Sequence, residues 1–408
     1  MRYNCPEGMA RAGPTVRYAR HAVFAVCEVW IFMNRFIYLD NAATVPVSAG
    51  ARLAIERALE EFGNPSSPHT AGSGARALLE NARGQVAALA RCAKDEIYFT
   101  ASGTEANNIA LFALAAKGRG KKIISTESEH PSVYNPLSEL EKRGYRTVRI
   151  SCPGGAFDYD AFARELDDDT ALVSVMQASN ETGAIYDIKK IRAVMTARRS
   201  RAFLHTDAVQ SFGKLPPDKA ADAVRYADTA SFSAHKIGGI KGTGALYVRK
   251  GLSLSPLMFG GGQERALRPG TENLPGAAAF GAACGEIALP ESRETLKRLY
   301  AHLTDRLGPI AVLHVPAEHV DSILLISLPG YRSETVVNWL SEHGICVSAS
   351  SACSSKQKKN RALADFGLSG ADADGALRIG LSRFNTESET DALAEAIETM
   401  KTEVRVHG

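Results

Sequence analysis

One short segment places a lysine among small and polar residues where a strand ends. Residues 231–236 read Ser-Phe-Ser-Ala-His-Lys, and a glycine-rich stretch follows them. A lysine held at a strand end can form a Schiff base with an aldehyde, and Ser233 and His235 could donate hydrogen bonds to a phosphate. Taken alone, Lys236 also fits a plainer interpretation, because most lysines are solvated at the surface.

A second segment, residues 203–210, carries an acid where an apolar strand ends. Asp207 follows Phe-Leu-His-Thr, and Gln210 lies three residues later. Pyridoxal phosphate needs a carboxylate beside its ring nitrogen, because the protonated ring then accepts electrons. Gln210 could donate to the ring hydroxyl. Asp207 is equally suited to capping a following helix, and the two roles are compatible.

Residues 99–106 predict the start of a helix directly after a strand. The pattern Ser-x-x-Glu at Ser102 and Glu105 is typical of a capping box. The backbone N–H groups at such a start, here those of Gly103 and Thr104, favour phosphate binding. His130, which also follows a strand and precedes a proline, could stack on a flat ring and move protons, although a single histidine in a turn is more often structural.

Cys353 lies in a run of small residues, Ser-Ala-Ser-Ser-Ala-Cys-Ser-Ser, that three lysines and a glutamine soon follow. We expect an exposed, mobile loop there. Neighbouring lysines favour the thiolate, so Cys353 is a candidate nucleophile. Arg378 stands inside a short apolar strand, where a substrate carboxylate would be a good bidentate partner; an internal ion pair is the alternative.

The elements that must position these residues alternate along the chain. Strand-like and helix-like runs follow one another from residue 36 onward, which predicts an α/β fold with a mostly parallel sheet between helices. Ligands of such sheets bind at the carboxyl ends of the strands. We predict an N-terminal extension at 1–33, a large domain at 34–290 and a smaller α+β domain at 291–408. The first residues of the large domain are candidates for packing on the small one.

Composition excludes several classes of protein. The 408 residues carry a formal net charge of +3, which is too small to indicate direct nucleic-acid binding. The seven cysteines are scattered and form no C-x-x-C pair, which argues against a disulfide framework and a metal site. Free thiols fit a reducing compartment, so we expect a cytoplasmic protein.

The first 33 residues differ from the rest. A mixed basic stretch precedes an apolar run at 21–33 that contains Glu28. The run is too short to span a membrane, and no cleavage site of the A-x-A type follows it. We expect a poorly ordered extension and no membrane partner; an export signal is the alternative, because a basic stretch before a short apolar run resembles one.

Together these motifs resemble the cysteine desulfurases of the class V aminotransferase family, with fold type I. The resemblance runs from Tyr38 to about Asn385, and several motifs occur in the family's order. Besides the segments above, it includes residues 38–44 (Tyr-Leu-Asp-Asn-Ala-Ala-Thr), 62–67 (Phe-Gly-Asn-Pro-Ser-Ser), 180–183 (Asn-Glu-Thr-Gly) and 270–273 (Gly-Thr-Glu-Asn).

The resemblance implies an aspartate-aminotransferase-like large domain that binds pyridoxal 5'-phosphate. Lys236 would carry the cofactor and act as general base, Asp207 would pair with its ring nitrogen, and His130 would stack on the ring. The remaining cofactor-binding residues would be Gly103, Thr104, Asn180, Gln210, Ser233, His235 and, from a second subunit, Thr271. A homodimer is therefore implied.

The resemblance also implies the substrate and the reaction. L-cysteine would bind through its carboxylate to Arg378, with Asn41 or Asn180, and would become L-alanine. Cys353 would take the sulfur as a persulfide and pass it to an acceptor or iron–sulfur scaffold protein, for cluster assembly or tRNA thiolation. No metal is implied. The Lys-Gln-Lys-Lys-Asn after Ser355 departs from the family pattern and leaves the acceptor open.

Other functions remain as alternatives. Another class V enzyme, such as a selenocysteine lyase or an aminotransferase, would share the fold, because fold alone does not determine chemistry. An aminotransferase has no need of a thiol loop, so Cys353 argues against it. A sulfur-relay scaffold without turnover is disfavoured by the presence of Lys236, Asp207 and His130.

Overall fold

The structure is a computed structural model that describes residues 36–350 and 360–405. The predicted extension at 1–33 and Cys353 lie outside these residues. The described strands, in chain order, are β1 (Ile37–Tyr38), β2 (Ile97–Thr100), β3 (Lys122–Thr126), β4 (Arg146–Ile150), β5 (Thr170–Ser174), β6 (Phe203–Asp207), β7 (Thr229–Ser233), β8 (Gly244–Val248), β9 (Val312–His314), β10 (Ile323–Ser327), β11 (Ile345–Cys346), β12 (Ser348–Ala349) and β13 (Ala376–Gly380).

Helices alternate with these strands along most of the chain. They are α1 (Ala49–Glu60), α2 (Thr70–Ala90), α3 (Gly103–Lys117), α4 (Pro131–Lys142), α5 (Tyr159–Glu165), α6 (Ile188–Ala197), α7 (Pro217–Ala220), α8 (Asp222–Arg225), α9 (Leu274–Ile287), α10 (Pro290–Leu307), α11 (Ser333–Glu342), α12 (Arg361–Phe366), α13 (Gly370–Asp374) and α14 (Glu387–Glu403). Short 3₁₀ turns add Lys94–Glu96, Pro153–Gly155, Ala234–Lys236 and Gln263–Ala266.

Within the described residues, the large domain has a seven-stranded sheet of order β2-β8-β7-β6-β5-β3-β4. The pairs β7–β6, β6–β5, β5–β3 and β3–β4 are parallel, whereas β8 runs antiparallel to both of its neighbours. Strands such as β5 and β7 are buried along their whole length, because helices cover both faces of the sheet. The predicted α/β fold with a mostly parallel sheet is confirmed.

The smaller domain is built on a second sheet of order β12-β13-β10-β9, in which all pairs are antiparallel. Its apolar core takes side chains from α10, α11 and α14. Leu39 belongs to that core, and β1 pairs with β11. The start of the described chain therefore packs on the small domain before the large domain begins.

The carboxyl ends of the parallel strands form one edge of the large sheet. Asp207 ends β6, and Lys236 follows β7 in a 3₁₀ turn. The helix α3 begins at the same edge after β2, which runs in the same direction as β7. This geometry brings the predicted chemical groups together from segments far apart in the chain.

Candidate active site

A cavity of about 450 Å³ lies at the carboxyl edge of the large sheet. It holds ten of the side chains or backbone positions that the sequence singles out: Gly103, Thr104, His130, Asn180, Asp207, Gln210, Ser233, His235, Lys236 and Arg378. Nine of these residues belong to the large domain and Arg378 belongs to the small one. The cavity therefore lies between the two domains.

Lys236 projects its amine toward the N-terminal segment of the described chain. Its Nζ donates to the carbonyl oxygens of Ala42 at 2.7 Å and Ala43 at 2.8 Å. Burial, assisted by the charge of Arg378, lowers the pKa of Lys236 to about 8. A lysine with this pKa is partly neutral near physiological pH, which makes it a competent nucleophile and base.

Asp207 is held by two hydrogen-bond donors. Its Oδ2 accepts from Asn107 Nδ2 at 2.7 Å, and its Oδ1 accepts from the backbone N–H of Val209 at 2.9 Å. The second contact makes Asp207 a local turn cap as well as a cavity residue. Both oxygens are thereby fixed, so the carboxylate presents a rigid negative charge to the cavity.

Gln210 is oriented by contacts at both ends of its amide. Lys214 Nζ donates to Gln210 Oε1 at 2.8 Å, and Gln210 Nε2 donates to the carbonyl oxygen of Ala42 at 2.9 Å. Because a lysine amine has hydrogens facing this oxygen, the amide nitrogen must be the end that faces Ala42 and the cavity. Lys214 is buried, and this burial lowers its pKa to about 7.

The start of α3 contributes a cluster of hydrogen-bond donors to the cavity. Ser102 caps α3 by accepting from the N–H of Glu105 at 3.1 Å; Glu105 accepts from the N–H of Ala101 rather than completing the predicted capping box. Gly103 stands at the helix start, and an added Cβ there would lie 2.9 Å from Val209 Cγ2. The N–H groups of a helix start with no side chain over them suit an anion.

Ser233 and His235 complete this donor cluster. Both residues line the cavity beside Gly103 and Thr104. His235 Nδ1 contacts Thr44 Oγ1 at 3.1 Å, and burial lowers the pKa of His235 to about 4. A neutral imidazole has one N–H, so His235 contributes a hydrogen bond but no charge.

His130 caps α4 as well as lining the cavity. Its Nδ1 accepts from the N–H of Ser132 at 3.1 Å and lies 2.7 Å from Ser132 Oγ. The pKa of His130 is lowered, chiefly by its partial removal from water. The structural role and a role in the cavity therefore coexist in one ring.

Arg378 has internal anionic partners. Its Nη1 donates to Glu181 Oε1 at 2.9 Å and to the carbonyl oxygen of Asn180 at 3.0 Å, and its Nη2 lies 3.3 Å from Asp40 Oδ1. Asn180 Nδ2 also donates to Glu181 Oε1. The alternative of an internal ion pair is thus present, yet Arg378 still lines the cavity.

Two of the predicted site residues lie elsewhere in this chain. Asn41 is buried, and its Nδ2 donates to the carbonyl oxygens of Tyr38 and Gly380 and to Asn385 Oδ1. Asn41 is not part of the cavity lining, and its amide joins the start of the described chain to β13; its role in substrate binding stays a prediction. Thr271 is exposed and lines a separate cavity with Glu272.

Three residues of the site were not found by sequence reasoning. Asn107, Glu181 and Lys214 contact Asp207, Arg378 and Gln210 respectively. Asn107 sits on α3, one turn after its start, and that spacing is the signal that could have identified it. Lys214 carried no signal, because its partner becomes apparent only in the folded chain.

Within residues 36–350 and 360–405, none of the helices combines the length and apolar character needed to cross a bilayer. The same residues contain no group of three or more His, Cys, Asp or Glu side chains arranged to bind a metal ion.

The donor set fits pyridoxal phosphate. The phosphate would meet the α3 N-terminus with Ser233 and His235, the ring nitrogen would meet Asp207, and the aldehyde would meet Lys236. Glycine suits position 103, because a side chain there would collide with Val209. The cavity thus contains a carboxylate for the ring nitrogen, hydrogen-bond donors for the phosphate and an amine for the aldehyde.

Comparisons with known proteins agree with this geometry. The class-V aminotransferase family matches residues 37–393. Cysteine desulfurase 2 of Trichormus variabilis is 38% identical over 369 residues, covering 88% of this chain and 91% of the relative. Cysteine desulfurase IscS of Methanosarcina thermophila is 35% identical over 378 residues, covering 89% and 91%.

Solved structures give the same result. A NifS-like protein superposes with a TM-score of 0.84 at 33% identity and covers 90% of this chain and 100% of its own. A second structure, SspA in complex with cysteine, has a TM-score of 0.73 at 27% identity, with 86% and 99% covered. The chain therefore belongs to the class-V aminotransferase family, as a pyridoxal-phosphate-dependent cysteine desulfurase.

Proposed function

We propose that this chain converts L-cysteine to L-alanine and carries the sulfur as a persulfide on Cys353. The supporting observation is that Lys236, Asp207 and Arg378 face one cavity together with the phosphate-type donors at the start of α3. These groups provide sites for an aldehyde, a ring nitrogen, a substrate carboxylate and a phosphate. An enzyme that acts on an amino acid needs all of them at once.

Pyridoxal phosphate, when bound, supplies an aldehyde for the substrate amine and a ring that accepts the electrons left on Cα. Arg378 binds and orients the substrate carboxylate. Lys236 Nζ, whose pKa is lowered to about 8, takes the proton from Cα. Asp207 keeps the ring nitrogen protonated throughout.

The sulfur then moves to Cys353. Its thiolate attacks the substrate sulfur, and the new S–S bond forms as the substrate C–S bond breaks. The electron pair of that bond stays on the carbon fragment, which takes up a proton from solvent at Cβ and one from Lys236 at Cα and leaves as alanine. The residues flanking the thiol segment support this assignment. Asn360 Nδ2 donates to the carbonyl oxygen of Ser350 at 2.6 Å and lies 3.4 Å from Glu181 Oε2. The described residues that flank the segment, Ser350 and Asn360, therefore contact each other, and Asn360 lies beside the partner of Arg378.

Three further features belong to the same proposal. The chain acts as a homodimer in which Thr271 of a second copy completes the phosphate site; exposed Phe62 and Phe259, at 87% and 90%, provide apolar surface for such a contact. The persulfide goes to an acceptor or iron–sulfur scaffold protein, for cluster assembly or tRNA thiolation. The protein works in the cytoplasm, where free thiols persist.

Another class V activity, such as selenocysteine lyase or aminotransferase, is the competing proposal. It would use the same Lys236, Asp207 and Arg378. A selenocysteine lyase would release more alanine from selenocysteine than from cysteine, and an aminotransferase would need an oxo acid as second substrate. Alanine and sulfide measurements distinguish all three activities.

The test begins with a visible spectrum of purified protein and the release of alanine and sulfide from L-cysteine in the presence of a thiol. We expect a cofactor band and equal amounts of both products. Cys353→Ala should keep the band and lose sulfide release, while the matched change Cys92→Ala, at a half-buried thiol outside the cavity, should keep both. Sulfide release by Cys353→Ala at the wild-type rate would contradict the persulfide role.

A further inference from the structure

A buried chain of hydrogen bonds joins two groups that face the cavity from different elements. Asn107 Nδ2 donates to Asp207 Oδ2 at 2.7 Å and to Ser132 Oγ at 2.9 Å. Ser132 Oγ in turn lies 2.7 Å from His130 Nδ1. Asn107 is fully buried and Ser132 is 7% exposed, so bulk water does not compete for these bonds.

The orientation of the Asn107 amide follows from its partners. An ionised carboxylate has only acceptors, so the atom 2.7 Å from Asp207 must be the nitrogen. The oxygen of Asn107 then faces His205 Nε2 at 3.0 Å, which must carry a hydrogen. Burial lowers the pKa of His205 to about 3. His205 is thus neutral, and its one ring hydrogen is used to hold the amide in place.

The same counting fixes the proton on His130. Both hydrogens of Asn107 Nδ2 are donated, one to Asp207 and one to Ser132, so the Ser132 hydroxyl hydrogen remains available for His130 Nδ1. The backbone N–H of Ser132 also points at Nδ1, at 3.1 Å. A hydrogen on Nδ1 would face that N–H directly. The lone pair must therefore be on Nδ1, and the proton of neutral His130 is on Nε2.

We propose that Asn107 is a positioning residue that joins Asp207 to Ser132 and thereby holds His130 with its proton on Nε2, so that His130 serves the reaction as a hydrogen-bond donor and not as a base. This inference rests on the proposed function. An imidazole that already carries a proton on Nε2 can take another only at Nδ1, where two donors from Ser132 oppose it. The Cα proton therefore passes to Lys236 Nζ as the C–H bond breaks.

Asp207 and His130, which both face the cavity, are thus held by the same residue, Asn107. Asn107 sets the position of the Asp207 carboxylate, and through Ser132 it also sets the ring plane of His130. Loss of Asn107 would remove a charge-assisted hydrogen bond from Asp207, and we expect the Kd for pyridoxal phosphate to rise about tenfold.

The direct test is the nitrogen spectrum of His130 in protein labelled with ¹⁵N-histidine, recorded with and without pyridoxal phosphate. His130→Gln assigns the resonances. We expect Nδ1 at the shift of an unprotonated nitrogen and Nε2 at that of a protonated one. A protonated Nδ1 in the wild type would overturn the proposal.

Substitutions of the hydrogen-bonded residues test whether Ser132 holds His130. Ser132→Ala removes one of the two donors to Nδ1, so His130 should carry its proton on Nε2 less exclusively. The shifts of its two ring nitrogens should therefore move toward each other. Ser174→Ala is the matched control, since the Ser174 hydroxyl is also buried and has no hydrogen-bond partner among the described residues. Shifts that stay unchanged in both variants would show that Ser132 does not hold the proton of His130 on Nε2. Asn107→Ala adds the cofactor titration, and Ser132→Ala still provides the answer if that variant does not fold.

The kcat values of two His130 variants distinguish a hydrogen-bond donor from a base. His130→Gln retains an N–H donor and should stay within about tenfold of the wild-type kcat, whereas His130→Ala should lose substantially more. Equal losses in both would argue that His130 transfers protons. Alanine and sulfide release by the wild type is measured alongside, so that a failure of the proposed function is recognised separately from a wrong tautomer.

Discussion

Arg378 Nη1 donates to Glu181 Oε1 at 2.9 Å, so the guanidinium assigned to the substrate already has an anionic partner. A substrate carboxylate must share or replace this contact. Arg378→Lys should therefore raise the KM for L-cysteine about tenfold or more, because a lysine cannot hold a carboxylate through two parallel bonds. Glu181→Gln should lower the KM severalfold, since a neutral amide competes less strongly. Steady-state alanine release measures both constants.

The matched control for this pair is Arg192→Lys. Arg192 donates to Asp228 at 2.8 Å and lies outside the cavity, so the same chemical change should leave the KM unaltered. A KM that stays at the wild-type value in Arg378→Lys would place the substrate carboxylate elsewhere.

The lowered pKa of Lys236 predicts how cofactor capture depends on pH. Only the neutral amine attacks an aldehyde. With a pKa of about 8, the rate at which the apoenzyme takes up pyridoxal phosphate should rise with pH and level off above about pH 8. An unperturbed lysine would keep rising toward pH 10. Stopped-flow absorbance measures the rate, and a profile without a plateau near pH 8 would contradict the assigned environment of Lys236.

How much of this site could be predicted depends on sequence distance. Asp207 and Lys236 could be proposed from the sequence because Asp207 ends its strand and Lys236 lies in the turn after the next one, and chemistry at strand ends is a local signal. The pairing of Arg378 with Asp40 was not identified, because the two residues are 338 positions apart. The contact of Asn41 with Asn385 was not identified for the same reason, because the two residues are 344 positions apart.

Parts of the fold were also beyond the reach of local patterns. The strand β8 reads like its neighbours in sequence, and only the assembled sheet shows that it runs antiparallel to β2 and β7. The helix α1 was not predicted. With two buried residues, Ala51 and Ala58, it has too narrow an apolar face to give a clear helical period.

Lys214 should make the stability of the chain depend on pH. Burial lowers its pKa to about 7 in the folded chain, against about 10.4 in an unfolded one. Between these values the unfolded chain binds the additional proton, so stability rises with pH, by up to about 1.4 kcal/mol per unit. Below about pH 7 both states are charged and the contribution is constant.

The measurement compares urea unfolding of the wild type with that of Lys214→Met from pH 6 to pH 10. The difference in free energy of unfolding should shift in favour of the wild type as pH rises through this window. Lys219→Met, at a lysine near the surface paired with Glu318, is the control and should show no such trend. Parallel curves for the wild type and Lys214→Met would indicate that Lys214 is not desolvated.

Thr271 is exposed and lines a cavity separate from that of Lys236. If Thr271 of one copy binds the phosphate held by the other, a mixed dimer of Lys236→Ala and Thr271→Ala subunits has one complete site. That site combines the intact lysine of one subunit with the intact threonine of the other. Each variant alone has none.

We therefore expect co-purified mixed dimers to recover alanine release well above that of either homodimer. The rate per intact site should approach that of the wild type. If Thr271 acted within its own chain, the mixed dimer would show only the activity of Thr271→Ala, because every site with a lysine would lack its threonine. Differently tagged subunits purified in two steps give the mixed species, and cofactor absorbance counts the occupied sites. Recovery in trans would establish that the phosphate site is built from two copies of the chain.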